Sequence, residues 1–312
     1  MNRTRFTLLP FIAAGSIAAL VAEGGTLRDV PKPPSLLPPN LVETPWSAGV
    51  PSLRSGQADT GGHPLRPLLP PKVVEARLEQ FAFENDQREK SLHEMFAQAG
   101  CGPSQLSEEV IHPGRPPNLV CSLAGSTQSA IVVGAHTDHV LRGQGAVDDW
   151  SGAALLPSLY ESLRAKPRWH TFLFIGFAEE EDGLVGSAYF TNHLSAQAAS
   201  SIRAMVNLEC LGTTPPKVWS DHADPKLLGI LENVAAALRV PLAKVDLERV
   251  GRDDAESFRR HHVPTITLHS LTQETVRLLH TPRDRLSAIH PEDYYEAYQL
   301  LVAYLAALDR RI

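Results

Sequence analysis

Downstream of residue 72 the chain alternates between two kinds of pattern. Short β-branched or aromatic runs alternate with longer stretches in which apolar side chains recur every three or four positions. The first pattern marks a buried strand and the second a helix resting on a sheet. Strands are predicted at 118–123, 129–134, 171–177, 203–208 and 264–268. Helices are predicted over 73–99, in one or two pieces carrying Val74, Leu78, Phe81, Leu92, Met95 and Phe96 on the packed side, and over 151–163, with Leu155, Leu156, Leu159 and Leu163 toward the sheet. Further helices are predicted over 186–194, 225–238 and 291–308. This alternation predicts an α/β domain with a mixed, mostly parallel central sheet flanked by helices. Only a Gly-Ser-Thr turn separates the first two strands, too short for a parallel crossover, so they are predicted to form a hairpin-like pair.

Upstream the pattern changes twice. Residues 6–22 are almost wholly apolar behind Arg3 and Arg5, the layout of a secretory signal segment over 1–22. The run is slightly short for a membrane span and contains Pro10 and Gly15, so cleavage and export to a periplasmic or extracellular location are expected, with membrane attachment only if the segment is retained. Residues 23–71 include Pro31, Pro33, Pro34, Pro38, Pro39, Pro70 and Pro71 with little apolar periodicity. They read as an extended arm or linker, with a propeptide as the alternative. Residues 72–312 are left as a single catalytic domain.

Composition narrows the classes. The chain has 312 residues, is 43% hydrophobic and has a net charge of −6, ordinary for a globular α/β domain. It lacks the concentrated Lys and Arg that a phosphate backbone requires, which argues against nucleic acid as a partner. Cys101, Cys121 and Cys210 have no Cys-x-x-Cys spacing, so a thiolate zinc site is excluded. Cys101 and Cys121 flank a short loop and could pair in an oxidising compartment, leaving Cys210 as a buried thiol beside Glu209.

The chemistry concentrates after the strand ends. The run Ile131-Val132-Val133 leads to His136, and the tips of such strands are where open α/β sheets bind ligands. Asp138 is spaced to orient the His136 imidazole through its second nitrogen. Asp148, with Asp149 beside it, lies in Gly-Ala-Val-Asp-Asp-Trp-Ser-Gly, where a carboxylate can bridge two cations. The next apolar strand runs into Glu179-Glu180-Glu181-Asp182. Four adjacent acids repel one another unless a positive charge neutralises them, and a divalent metal would do so. Each feature alone has a plainer explanation, a hydrogen-bonded histidine or a solvated acidic turn. Their order along the chain favours a metal.

GAHTDH, GAVDDWSG and EEDGLVGS resemble the consecutive motifs of the co-catalytic zinc exopeptidases, the family of secreted bacterial zinc aminopeptidases, glutamate carboxypeptidase II and glutaminyl cyclase. The likeness spans roughly residues 72–309. It implies that His136 is a histidine ligand, Asp148 the bridging carboxylate, Glu180 the general base and Glu181 a further ligand. Downstream, Glu209 in Val-Asn-Leu-Glu-Cys matches a terminal carboxylate ligand, and His280 in Leu-Leu-His-Thr-Pro-Arg-Asp the last ligand histidine. Asp138, Asp149 and Asp254 would support these from behind. His139, His222, His261, His262 and His269 are read as surface or supporting residues.

The resemblance implies zinc, two ions bridged by Asp148, and hydrolysis of the N-terminal residues of peptides. The family usually has aspartate where this chain has Glu209. The mixed His and carboxylate donor set, made richer in oxygen by Glu209, would also tolerate manganese or cobalt. The family also often has Ser-Asp-His where this chain reads Asp253-Asp254-Ala255. An aminopeptidase is expected over a carboxypeptidase, since the extra domains of the larger carboxypeptidase relatives are absent from this sequence. A glutaminyl-peptide cyclotransferase with one zinc is the main rival. Asp253-Asp254 followed by Phe258-Arg259-Arg260 speaks for it, while Gly183-Leu184-Val185-Gly186-Ser187 and Leu279 before His280 speak against it. A non-catalytic binding relative is a third alternative, disfavoured because every ligand position and the base are filled.

Overall fold

A computed structural model describes residues 43–44, 68–245 and 251–312. The signal segment expected over 1–22 and nearly all of the arm expected over 23–71 lie outside the described residues. In chain order the elements are β1 (Glu43–Thr44), α1 (Pro71–Leu78), α2 (Asn85–Gln98), β2 (Leu106–Glu109), β3 (Asn118–Leu123), β4 (Ala130–His136), α3 (Ser151–Ala153), α4 (Leu156–Arg164), β5 (Thr171–Phe177), α5 (Val185–Asn192) and α6 (Ala196–Ser201). They continue with β6 (Ile202–Leu208), β7 (Lys217–Val218), α7 (Pro225–Leu238), β8 (Ala243–Val245), α8 (Ala255–Arg260), β9 (Thr265–His269) and α9 (Pro291–Arg311).

All seven residues of β4 are buried, as expected of a strand covered on both faces. Its side chains alternate between two cores. Ile131 and Val133 join Phe172, Phe174, Ala204 and Val206 beneath α1, α2, α4, α7 and α9. Val132 joins Ile175, Phe177 and Met205 beneath Phe190 of α5 and Phe258 of α8. The helices are punctuated by ordinary signals. Asp224 caps α7 by accepting from the Lys226 and Leu227 amides. In α9, Glu292 and Asp293 occupy the first turn and Arg310 and Arg311 the last, which matches the helix dipole at both ends.

The sheet order is β1-β8-β7-β9-β6-β4-β5-β3-β2. The pairs β5·β4, β4·β6 and β6·β9 are parallel, and antiparallel strands flank this centre. The α/β class and the mixed sheet therefore hold. The expected hairpin does not, because β5 lies between β3 and β4, antiparallel to the first and parallel to the second. In that place β5 satisfies backbone groups on both its sides, with seven residue pairs to β4 and five to β3. The short connection is stitched across the start of β5, where the Ser126 and Thr127 amides donate to the Arg168 and Trp169 carbonyls.

The short strands β2, β7 and β8 escaped the reading of the sequence. The stretch predicted as one or two helices forms two, α1 and α2, and the second predicted helix is divided into α3 and α4. Cys101 and Cys121 form a disulfide that ties the loop after α2 to β3, and Cys210 is free and buried. Among the described residues no helix is long and apolar enough to cross a membrane.

Candidate metal centre

Register places the site. His136 ends β4 opposite Phe177 of β5, so the Glu179–Asp182 turn follows directly beside it. On the other flank Gly134 pairs with Asn207 of β6, and continuing that register by two residues sets Glu209 level with His136. Three neighbouring parallel strands thus deliver three of the expected residues to one sheet edge, the C-terminal ends where open α/β sheets hold ligands. Asp148 arrives from the tight loop Ala146–Trp150, entered through Gly145 at φ 60°, and its peptide to Asp149 is cis. At Gly145 a Cβ would stand 2.3 Å from the His139 Cβ, so a side chain has no room. His280 comes from the long connection between β9 and α9.

These five residues converge. His136 Nε2 lies 3.1 Å from Asp148 Oδ1 and 3.4 Å from Glu209 Oε1. His280 Nε2 lies 3.1 Å from Asp148 Oδ2 and 3.2 Å from Glu181 Oε1. Each oxygen of Asp148 therefore faces a different imidazole, one with Glu209 and one with Glu181. Glu180 lines the same cavity, about 250 Å³ in volume, with Leu184, Trp219, Leu271 and Leu279 as its apolar wall.

Asp138, Asp149 and Asp254 all lie around these five residues. His136 Nδ1 donates to the Asp138 backbone carbonyl at 3.1 Å, which leaves Nε2 to face the site. The Asp138 carboxylate, expected to do this, stands 3.6 Å from Nδ1 and instead accepts from the Glu180 and Glu181 amides at 2.9 and 3.1 Å. It thereby fixes the acidic turn to the His136 loop. Asp149 Oδ1 accepts from the Gly152 and Cys210 amides at 3.0 Å each, joining the Asp148 loop to the end of β6. Asp254 is fully buried behind the site, and burial raises its carboxyl to about 8. Of the histidines read as surface or supporting, His139 and His269 are buried.

Several residues that shape the site went unnoticed in the sequence. Arg88 is wholly buried and donates to the Thr137, Gln144 and Gly145 carbonyls, spanning the two loops that carry His136 and Asp148. Its guanidinium packs over Phe81 and Trp150. Nothing in its polar, charged helix marks it out. Asp284 Oδ1 accepts from the Val147 amide at 2.6 Å and ties the His280 loop to the Asp148 loop; its place four residues after His280 was the available signal. Glu179, the first acid of the cluster read from the sequence, is buried and paired with two further residues that the sequence did not mark, His112 and Arg115 from the loop between β2 and β3. Glu179, Cys210 and His280 all have φ between 51° and 56°, a left-handed conformation that costs a non-glycine residue on the order of 1 kcal/mol.

The electrostatics describe a place for cations. Burial alone would lower the His136 imidazole, but the surrounding Glu180, Asp138, Asp148 and Glu209 carboxylates hold it well above its ordinary value. His280 is raised to about 10 by Asp148 and Glu181. Burial would raise Asp148, yet its two imidazole partners pull it well below the usual carboxylate range. Glu180 is pushed up to about 10 by burial among neighbouring carboxylates. Asp149 keeps one buried oxygen, Oδ2, without a hydrogen-bond partner among the described residues. Carboxylates crowded this way retain protons unless a cation neutralises them, and two half-sites of imidazole and carboxylate donors sharing Asp148 fit zinc.

Comparison with known proteins agrees with this fold. The profile of peptidase family M28 matches residues 118–305. Leupeptin-inactivating enzyme 1 of Streptomyces exfoliatus is 32% identical over 149 residues, covering 47% of this chain and 34% of that protein. A zinc aminopeptidase from Bacillus subtilis superposes with a TM-score of 0.56 at 22% identity, over 61% of this chain and 49% of that one. A glutaminyl cyclase from an Acidobacteriales bacterium gives 0.68 at 17% identity, over 85% of this chain and all of that one. At these identities the two structures share the fold, and the chain spans half or less of the first two relatives. With the family profile covering more than half of its 312 residues, the chain belongs to peptidase family M28.

Proposed function

We propose that the protein is a metal-dependent aminopeptidase that removes N-terminal residues from peptides, with His136, Asp148, Glu181, Glu209 and His280 as metal ligands and Glu180 as general base. The observation that carries the reading is Asp148, whose two oxygens face His136 with Glu209 on one side and His280 with Glu181 on the other. Zinc in those half-sites, two ions in the reading favoured here with manganese or cobalt also accommodated, would polarise a water and the scissile carbonyl. Glu180 takes the proton of the attacking water and returns it to the departing amine. Its amide is held by Asp138, so its carboxylate is aimed by the same loop that carries His136. Burial favours the protonated carboxyl in the absence of a neutralising charge, so cations beside it would be needed to hold it as the carboxylate that accepts a proton. The apolar wall of Leu184, Trp219, Leu271 and Leu279 would receive a peptide side chain.

Export through residues 1–22 is part of the proposal. The Cys101–Cys121 disulfide supports it, since such bridges persist in oxidising compartments.

The test is Glu180→Gln. Metal content should be unchanged while turnover on an aminoacyl amide falls by about two to four orders of magnitude. Wild-type turnover in that variant would remove Glu180 from the role.

A glutaminyl-peptide cyclotransferase remains the second reading. Asp253 and Asp254 are both buried next to the site, and the cyclase above is spanned over its whole length, whereas the aminopeptidase is spanned over half. Parallel assays of an N-terminal Gln peptide and a leucine amide separate the two. Release of ammonia with cyclisation of the Gln peptide, without cleavage of the amide, would decide for the cyclase.

A further inference from the structure

Beside the metal centre lies a second groove of about 560 Å³ whose polar lining has the opposite sign. Trp219, Gly251 and Arg252 line both cavities, so the two adjoin. From there the groove runs past Arg259 and Arg260. Arg252 and Arg260 both lean on one carboxylate, Glu256, the first at 3.7 Å, and their side chains are 61% and 60% exposed. Arg259 stands 3.7 Å from the buried Asp253, which also accepts from Thr267. Among the described residues, three guanidiniums thus face two carboxylates, one of them shared and the other buried.

We propose that this groove binds a carboxylate on the substrate downstream of the scissile bond. The inference rests on the aminopeptidase reading and names the substrates it favours. A peptide carries its ammonium at one end, suited to the acid-rich metal centre, and further along it offers either the terminal carboxylate of a short peptide or an acidic side chain. Planar guanidiniums are the side chains best matched to a carboxylate, by paired N–H donors. Both sources place the same chemistry against Arg252, Arg259 and Arg260, and substrates separate them.

The experiment compares kcat/KM of the zinc-loaded enzyme for four peptides: Leu-Gly-Gly as free acid and as amide, and the amides of Leu-Gly-Glu and Leu-Gly-Gln. The carboxylate-bearing member of at least one pair should be preferred by about tenfold, a typical summed effect of exposed charge pairs. The preference should shrink as salt rises. A preference within the first pair assigns a terminal carboxylate, and within the second an acidic side chain.

Arg252→Gln combined with Arg260→Gln should bring the ratio toward one, and Glu256→Gln, which frees both guanidiniums, should raise it. A ratio does not depend on how much of a variant has folded. Equal rates within both pairs, or a ratio indifferent to the substitutions, overturns the groove while leaving the peptidase reading intact. Absence of hydrolysis of every peptide overturns the peptidase reading instead, and calorimetric binding of the same four peptides then reads the groove without turnover.

Discussion

Arg88 carries more of the site than its surroundings in the sequence suggest. It sits among Asp, Gln, Glu and Lys in α2, a helix that reads as polar surface, yet it has no exposure at all. Burial lowers its guanidinium to about 10, so it stays cationic at neutral pH, facing the field of Asp284, Asp138, Asp148 and Asp149. It is a positioning residue, because it touches carbonyls of the ligand-bearing loops and none of the proposed ligands. Arg88→Met should destabilise the fold by about 3 kcal/mol, the scale of removing one partner from a buried charged network. It should also weaken zinc retention against a chelator. Arg88→Lys, which keeps the charge without the fork, should recover part of the chelator resistance. Stability loss with unchanged zinc affinity would reduce Arg88 to a packing residue.

The proposed ligands were legible because they stand in ordered motifs, most of them just after apolar strands. Arg88, His112 and Arg115 were not, since a charged side chain in a charged stretch leaves no pattern when it turns inward or pairs with a distant acid. Asp138 was found, but its backbone carbonyl and its carboxylate exchange the duties the spacing suggested.

Among the elements, the apolar strands and the long helices could be read, and the polar edges could not. β2, with Leu106, Ser107, Glu108 and Glu109, is a half-solvated edge strand whose identity comes from pairing with β3 rather than from its own composition. The same edge carries the disulfide. Cys101 and Cys121 are both buried and are separated by 20 residues, a loop for which chain entropy gives about 3 kcal/mol of stabilisation. Replacing both cysteines by alanine should lower the denaturant midpoint by the equivalent of that amount with little change in its slope. An unchanged midpoint would mean that the unfolded chain is already restrained there.

For the molecule as a whole, the sharing of Asp148 ties cation binding to pH. His280, held at about 10, and His136, held well above its ordinary value, both carry protons near pH 7 when no cation neutralises their carboxylate partners. Ligand imidazoles must be neutral, so zinc uptake displaces those protons, and apparent affinity falls as pH falls. Calorimetric titrations in two buffers of different ionisation enthalpy should report release of about one to two protons per chain at pH 7. Net uptake, or none, would contradict the proposed histidine ligands. The convergence of all five residues could be expected from motif order alone, whereas the strand order that produces it could not. Nothing local tells β3 to leave β4 for a strand that comes a helix later.

That displaced strand also bears on how the chain is made. During synthesis β3 and β4 emerge one after the other, joined by a connection short enough for a tight reversal, and for an interval each is the nearest candidate mate for the other. Their native neighbour, β5, does not yet exist. The nascent polypeptide must therefore keep this side of the sheet unzipped, or open a decoy ladder, until residues 171–177 have left the ribosome.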